Sequence, residues 1–230
     1  AAQPPGGAPA ALPDGIAVCV RQRPVVPREQ ALLEAPHEFE CTTVVPPATV
    51  AVHCERVSLG RVLEGAGGER LQTKKFAAHR CFAPGEGDAA LYEAIGAPLV
   101  ARVLAGGAAT VIAYGQTGSG KTHTTQQLLD RVAAALLGGV RAGASLELSA
   151  FENLGDKCYD LLNERAELAL REDADGAVHA RGLSTTALAS AADFERAVAW
   201  GAAQRAQAAT TTNAQSSRSQ RTTFGIESVQ

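Results

Sequence analysis

The chain has 230 residues, 46% of them hydrophobic, so it is long and apolar enough for one sizeable domain or two small ones. Its net charge of -3 gives no general attraction to nucleic acid, and no apolar run approaches the ~18 residues that span a bilayer. Together with five cysteines that lack C-x-x-C spacing, these features predict a cytoplasmic protein with reduced thiols and no nucleic-acid or membrane partner.

The first half of the chain contains short strand patterns followed by one helix pattern. Apolar residues at helical spacing predict a helix that begins at Asp88, a capping residue type, and runs to Leu104. Pro98 should bend or divide this helix, and Gly106 should end it. Three features are predicted before the helix: a disordered leader over residues 1–15, a strand at Ile16–Val20, and a hairpin or small sheet over residues 38–57.

In the second half, strand and helix patterns alternate. The apolar run Thr110–Tyr114 predicts a buried strand, and a helix should follow from about Lys121 to Leu137. Ser190 and Asp193 fit a capping box, which predicts a helix that buries residues 194, 197, 198 and 201. The alternation predicts an α/β sheet as the default architecture. Further strand patterns lie at Ser145–Phe151 and Thr222–Val229. Two short strands, Glu167–Arg171 and Ala177–Ala180, are predicted to pair around Asp175-Gly176, and Tyr159–Asn163 predicts the start of another element without indicating its type.

Residues 115–122, GQTGSGKT, fit the phosphate-loop pattern G-x-x-x-x-G-K-[ST] at every fixed position. Glycines let a backbone curve around phosphate oxygens, and the following helix presents N–H groups and a positive dipole end to them. In such loops the lysine reaches the β- and γ-phosphates and the final hydroxyl is a Mg²⁺ ligand. The predicted nucleotide-binding residues are Gly115, Gln116, Thr117, Gly118, Ser119, Gly120, Lys121 and Thr122.

The residues around this loop resemble the kinesin motor family. The extended run AYGQTGSGKTHT is similar to kinesins far more than to phosphate-loop proteins in general. Residues 20–24, VRQRP, resemble the family's V-R-x-R-P. This resemblance implies that Arg21, Arg23 and Pro24 lie against adenine and that Tyr92 stacks on its other face.

Residues 213–219, NAQSSRS, resemble the family's switch I loop, N-x-x-S-S-R-S-H. The resemblance implies that Asn213 and Ser216 face the γ-phosphate, that Ser217 joins Thr122 in the metal shell, and that Arg218 pairs with a glutamate of switch II. A polar loop of this kind can move when the phosphate leaves. Gln220 stands where the family has histidine.

The resemblance covers the chain from about Ile16 to its last residue. It implies a kinesin-like P-loop NTPase fold over residues 16–230, with a mixed central sheet flanked by helices. It also implies ATP and Mg²⁺ as cofactors and microtubules as the partner. Kinesins continue beyond switch I to a D-L-A-G-S-E segment and a microtubule-binding helix, so we expect a C-terminally truncated, partial motor domain. Residues 19–24 and 53–63 look most like the internal-motor, microtubule-depolymerising kinesins.

Three functions are consistent with these patterns. The first is a kinesin ATPase that works on microtubules. The second is a truncated or degenerate relic of that fold that binds nucleotide without hydrolysing it, which Gln220 favours. The third is an unrelated P-loop enzyme such as a nucleotide kinase, which would leave the NAQSSRS stretch unexplained.

Overall fold

The computed structural model describes residues 15–27, 29–30, 41–56, 70–211 and 221–229. The predicted leader therefore lies almost entirely outside the described residues. The chain divides into two compact units. Unit 1 comprises Ala1–Arg102 and Ala108–Leu128, and unit 2 comprises Val103–Gly107 and Leu129–Gln230.

Unit 1 contains two small sheets in its described part. Strand β1 (Cys19–Arg21) pairs in parallel with β5 (Arg80–Phe82), with Val20 opposite Cys81. The predicted first strand is thus shifted toward the C-terminus, and Ile16 and Val18 are exposed. The predicted hairpin around Pro46-Pro47 is confirmed and extends into a three-stranded antiparallel sheet, formed by β2 (Thr42–Val45), β3 (Thr49–Arg56) and β4 (Arg70–Ala77).

The helix predicted from Asp88 to Leu104 is present, and a π turn interrupts it. It consists of α1 (Asp88–Leu91), the π turn Tyr92–Gly96 and α2 (Ala97–Leu104). Pro98 has no N–H for the ordinary helical bond, and the wider π turn immediately before it accommodates the ring. Asp88 does not act as the cap, because Gly87 holds that position without a side-chain hydrogen bond.

The predicted buried strand Thr110–Tyr114 is wrong. This segment has no regular secondary structure, and its large side chains are open to solvent: Ile112 is 68% exposed and Tyr114 is 99% exposed. A strand requires a neighbour for its N–H and C=O groups, and no strand in the described part of the chain pairs with this segment. An apolar, β-favouring sequence is therefore not sufficient for a strand here.

Unit 2 is built around strand β6 (Ser145–Leu154), the long central strand of a six-stranded sheet. β6 pairs antiparallel with three strands: β7 (Lys157–Asp160), β10 (Thr186–Leu188) and β11 (Arg221–Val229). β11 confirms the last predicted strand. The short pair predicted around Asp175-Gly176 is confirmed as β8 (Glu167–Glu172) and β9 (Val178–Arg181), with Leu170 opposite Ala180.

Two long helices complete the described secondary structure. Helix α3 (Lys121–Gly139) begins at the phosphate-loop lysine, as predicted, and ends two residues beyond the predicted end at Leu137. Helix α4 (Ala191–Thr211) follows the confirmed capping box, in which the backbone N–H of Asp193 donates to Ser190 Oγ at 3.3 Å. Its predicted apolar face is confirmed as buried: Phe194, Ala197, Val198 and Gly201.

The α/β class is confirmed, with helices alongside both parallel and antiparallel strand pairs. In the described residues the strands form three separate sheets: a two-stranded parallel sheet, a three-stranded antiparallel sheet and a six-stranded antiparallel sheet. None of the helices in the described part of the chain is long and apolar enough to cross a membrane.

Candidate nucleotide-binding site

The phosphate-loop sequence forms a turn that opens directly into helix α3. The N–H of Ser119 donates to the carbonyl of Gln116 at 3.2 Å, which closes the turn. One residue later the helical pattern begins, with the N–H of Thr124 donating to the carbonyl of Gly120 at 2.9 Å. The loop therefore lies at the N-terminal end of a long helix, where N–H groups and the helix dipole favour a phosphate.

The glycines of the loop are required by its backbone shape. Gly118 has φ +82° and Gly120 has φ +90°, in the left-handed region that side-chain-bearing residues rarely adopt. At Gly115 the reason is space, because a Cβ there would lie 2.6 Å from Ser119 Oγ. Each fixed glycine of the motif thus has a separate structural cause.

Lys121 lies inside the curve of the loop. Its Nζ donates to the carbonyl oxygens of Gly115 and Gln116, both at 2.7 Å. Thr122 occupies the first turn of α3 with its side chain exposed. Thr125 Oγ1 donates to the carbonyl of Lys121 at 3.0 Å, a hydrogen bond within the first turns of α3. Lys121 and Thr122, which the motif predicts to meet phosphate and Mg²⁺, are the first two residues of α3.

Arg21 joins strand β1 to the two helices that flank the loop. Its Nη2 lies 2.6 Å from Asp88 Oδ1, and its Nη1 donates to Thr124 Oγ1 at 3.0 Å. Asp88 is at the start of α1 and Thr124 is in the first turn of α3. The guanidinium of Arg21 therefore holds the start of helix α3, a contact that the sequence motif alone did not indicate.

Arg23 lies directly against the loop. Its stem is close to Gly120, where a Cβ would be 3.4 Å from Arg23 Cδ. Its Nη2 donates to both carboxylate oxygens of Glu29, at 2.7 and 2.8 Å, and this bond raises the pKa of Arg23. Pro24, the next residue, is exposed. The segment of the V-R-x-R-P resemblance and the phosphate loop are thus neighbours within unit 1.

Tyr92 is half-buried at the start of the π turn, with its ring over Gly96. A Cβ on Gly96 would lie 2.5 Å from Tyr92 Cδ2 and 3.0 Å from Leu128 Cδ1. The absence of a side chain at Gly96 therefore lets the ring pack down on its own helix. Leu128 lies on α3, so α3 and the π turn that carries Tyr92 and Gly96 are in close contact at this point.

The predicted switch I residues Asn213, Ser216, Ser217 and Arg218 lie outside the described residues, as does Gln220. Helix α4 ends at Thr211, immediately before them.

The sequence did not predict the carboxylate partners Asp88 and Glu29. Acidic residues outside a motif do not indicate which cationic side chain they will pair with. The sequence also did not predict that Glu152 is buried between Arg165 and Arg205 in unit 2, although a charged residue on the inward face of an alternating strand is itself a signal.

The residues of the loop fit a nucleotide held with magnesium. The glycines leave the backbone of the loop uncovered by side chains, with little space at Gly115 and left-handed conformations at Gly118 and Gly120. Lys121 and Thr122 provide a cation and a hydroxyl next to this backbone. Magnesium keeps several waters and usually needs few protein ligands besides substrate phosphates. The described residues contain no group of three or more His, Cys, Asp or Glu side chains arranged to hold a metal ion.

Comparison with known proteins agrees with this geometry. A family model for the kinesin motor domain matches residues 36–224, more than half of the chain. The kinesin-like protein KIN-10B of Arabidopsis thaliana is 38% identical over 130 residues, which cover 53% of this chain and 21% of the relative. A solved structure of a fast kinesin has the same fold with a TM-score of 0.74 at 23% identity, covering 92% of this chain and 58% of that one. The chain thus spans about a fifth of the curated relative and just over half of the solved structure, and it belongs to the kinesin motor domain family.

Proposed function

We propose that residues 16–230 are the nucleotide-binding part of a kinesin motor that binds ATP with Mg²⁺ and hydrolyses it in work on microtubules. The observation that carries the proposal is the loop before α3, with glycines in left-handed conformations and the Lys121 ammonium inside its curve. A cytoskeletal location follows from the same proposal. Residues 1–15 are rich in Pro, Gly and Ala, and this composition supports a separate leader.

In this function the chain contributes positioning and charge rather than covalent chemistry. Lys121 donates to the β- and γ-phosphate oxygens, and the resemblance assigns Asn213 and Ser216 to the γ-phosphate and Arg218 to a switch II partner. Thr122 and Ser217 would hold Mg²⁺. When bound, Mg²⁺ neutralises charge on the phosphate oxygens.

The adenine contacts proposed for Arg21, Arg23, Pro24 and Tyr92 rest on the family resemblance and on their place around the loop. Both guanidinium groups are held by carboxylates, and the Tyr92 ring is packed over Gly96. Arg21, Arg23 and Tyr92 are thus each held by a partner before any base binds. Preorganisation lowers the entropic cost of ordering side chains when a base binds.

Calorimetry of the full chain with ATP and Mg²⁺ tests the proposal. We expect a measurable heat of binding, which Lys121→Ala should weaken about 10- to 150-fold, since a charge-assisted hydrogen bond contributes about 1.5–3 kcal/mol. Lys157→Ala is the matched control, because that exposed lysine pairs with Glu167 in unit 2. Absence of heat with the folded wild-type chain, or equal affinity for both variants, would contradict the proposal.

A second candidate is a motor relative that binds nucleotide without turnover. The observation that favours it is Gln220, at the position where switch I of the family has histidine. A single-turnover measurement with and without microtubules separates the two, because microtubule-stimulated release of phosphate requires hydrolysis. The resemblance to depolymerising kinesins is tested in the same samples by release of tubulin from stabilised microtubules.

A further inference from the structure

Asp88 and Arg21 form an ion pair beside the phosphate loop, within unit 1. Arg21 Nη2 lies 2.6 Å from Asp88 Oδ1, and the two side chains are 18% and 25% exposed. The other terminal nitrogen of the same guanidinium, Nη1, donates to Thr124 Oγ1 at 3.0 Å. Because a guanidinium is planar and rigid, a carboxylate that fixes one of its nitrogens also fixes the direction of the other.

The Thr124 end of this link is bonded to the phosphate loop itself. The N–H of Thr124 donates to the carbonyl of Gly120 at 2.9 Å, in the first turn of α3. Gly120 is the last glycine of the motif, and Lys121 follows it directly. An unbroken chain of contacts therefore runs from Asp88 through Arg21 and Thr124 to the backbone of the loop.

A second contact holds α3 one turn further along. Thr124 and Leu128 are four residues apart and thus lie on one face of α3. Leu128 is buried, and a Cβ on Gly96 would lie 3.0 Å from Leu128 Cδ1. This apolar contact is non-directional, so it keeps the two elements close without fixing their orientation. The orientation of the first turn of α3 is therefore set by directional bonds, among them the one from Arg21.

The charge of Asp88 opposes the binding of an anion nearby. A carboxylate in this position repels phosphate and offsets the positive charge of Arg21. Removal of the charge would therefore strengthen nucleotide binding if electrostatics alone decided the affinity. If Asp88 acts by holding Arg21, its removal weakens binding instead. The sign of the change thus separates the two roles.

We propose that Asp88 is a positioning residue of the phosphate loop, and that through Arg21 it holds the first turn of α3 in the orientation that binds phosphate. This inference rests on the proposed function, and it concerns a residue to which neither the loop motif nor the family resemblance gives a role. Asp88 needs no contact with nucleotide and is not a catalytic residue. A general contribution to folding would lower stability without changing the affinity of the folded chain.

The test uses the full chain with Asp88→Asn, which removes the charge and keeps the shape of the side chain. Glu86→Gln is the matched control, because Glu86 pairs with Arg80 in the same unit, at 2.5 Å and with similar exposure, and its loss changes the net charge equally. Thr124→Val removes the hydroxyl at the other end of the link, and Thr124→Ser keeps it. Calorimetry with ATP and Mg²⁺ gives the Kd, and urea denaturation gives the free energy of unfolding. Hydrogen exchange without nucleotide, in peptides from residues 115–126, follows the loop and the first turn.

We expect Asp88→Asn to weaken ATP binding about fivefold or more, within the range of typical coupling between sites, and Glu86→Gln to leave it within about twofold. Thr124→Val should give a similar loss, and Thr124→Ser should retain most of the affinity. The double variant Asp88→Asn/Thr124→Val should bind within about twofold of the weaker single variant, because both changes break one link. Exchange in residues 115–126 should be faster in Asp88→Asn and unchanged in Glu86→Gln.

Four results would overturn the inference: unchanged or tighter ATP binding by Asp88→Asn, losses that multiply in the double variant, an equal loss in Glu86→Gln, or unchanged exchange in Asp88→Asn. A change in the free energy of unfolding alone would leave Asp88 with a role in folding only, and would count against positioning. If the folded wild-type chain bound no nucleotide, the proposed function would fail. The exchange comparison would then still decide whether Asp88 holds the first turn of α3.

Discussion

Gly118 of the phosphate loop offers a sharp test of whether this loop must adopt its observed backbone. Gly118 has φ +82°, and a Cβ built there meets no atom within 4 Å. Alanine would therefore cause backbone strain without a steric clash. That strain is about 1–2 kcal/mol for a residue in the left-handed region.

Gly143 supplies a matched control in the same chain. Its φ is +90°, and a Cβ there also meets no atom within 4 Å, yet it lies in the turn before β6 and far along the sequence from the loop. Gly143→Ala should lose about 1 kcal/mol of unfolding free energy, because the strain is partly offset by the smaller entropy of the unfolded chain. Its affinity for ATP should be unchanged.

In Gly118→Ala the same strain should lower either the free energy of unfolding or the affinity for ATP. If the free loop keeps its shape, the free energy of unfolding falls as it does for Gly143→Ala. If the free loop relaxes, stability is retained and ATP must restore the strained backbone, which weakens binding about 5- to 30-fold. Urea denaturation and calorimetry with ATP and Mg²⁺ measure the two quantities. A Gly118→Ala protein that matched the wild type in both would refute the assigned backbone of the loop.

Three further predictions concern the rest of the chain. Phe194→Ala should lower the unfolding free energy by about 3–5 kcal/mol in urea denaturation, because the ring is 1% exposed and its removal leaves a cavity. The hydrogen bond from Ser190 lowers the pKa of Asp193 from its ordinary value of 3.8, so the cap stabilises the fold above that value and is lost as pH falls through the lowered pKa. Ser190→Ala should therefore raise the pKa of Asp193 when NMR follows its titration; an unchanged value would contradict the cap. Alkylation of the native protein followed by mass spectrometry should modify the exposed thiols well before the buried ones, Cys41 and Cys54 against Cys81 and Cys158.

The local patterns that succeeded are those in which neighbouring residues decide the conformation. The capping box of Ser190 and Asp193 uses atoms three residues apart, and the hairpin at Pro46-Pro47 uses a turn between adjacent strands. The phosphate loop is similar, because each fixed glycine meets a constraint set within the loop itself or beside it. Such features can be predicted from sequence since the partners that stabilise them are close along the chain.

The features that failed or were missed depend on residues far apart in sequence. Residues 110–114 have a strand sequence without a paired neighbour in the described part of the chain, and β-propensity is mainly a preference for a packed, paired surface. The partners of Arg21 are 67 and 103 residues away, and Arg205 is 53 residues from Glu152. No periodicity relates residues at such distances.

The class of fold, the phosphate loop and the helix after it could be predicted from the residues alone, because they follow from short-range backbone constraints. Which carboxylate pairs with each arginine became visible only in the folded chain, as did the burial of Glu152 between Arg165 and Arg205. Desolvation makes a buried charge depend on its exact partners, and packing between elements sets those partners.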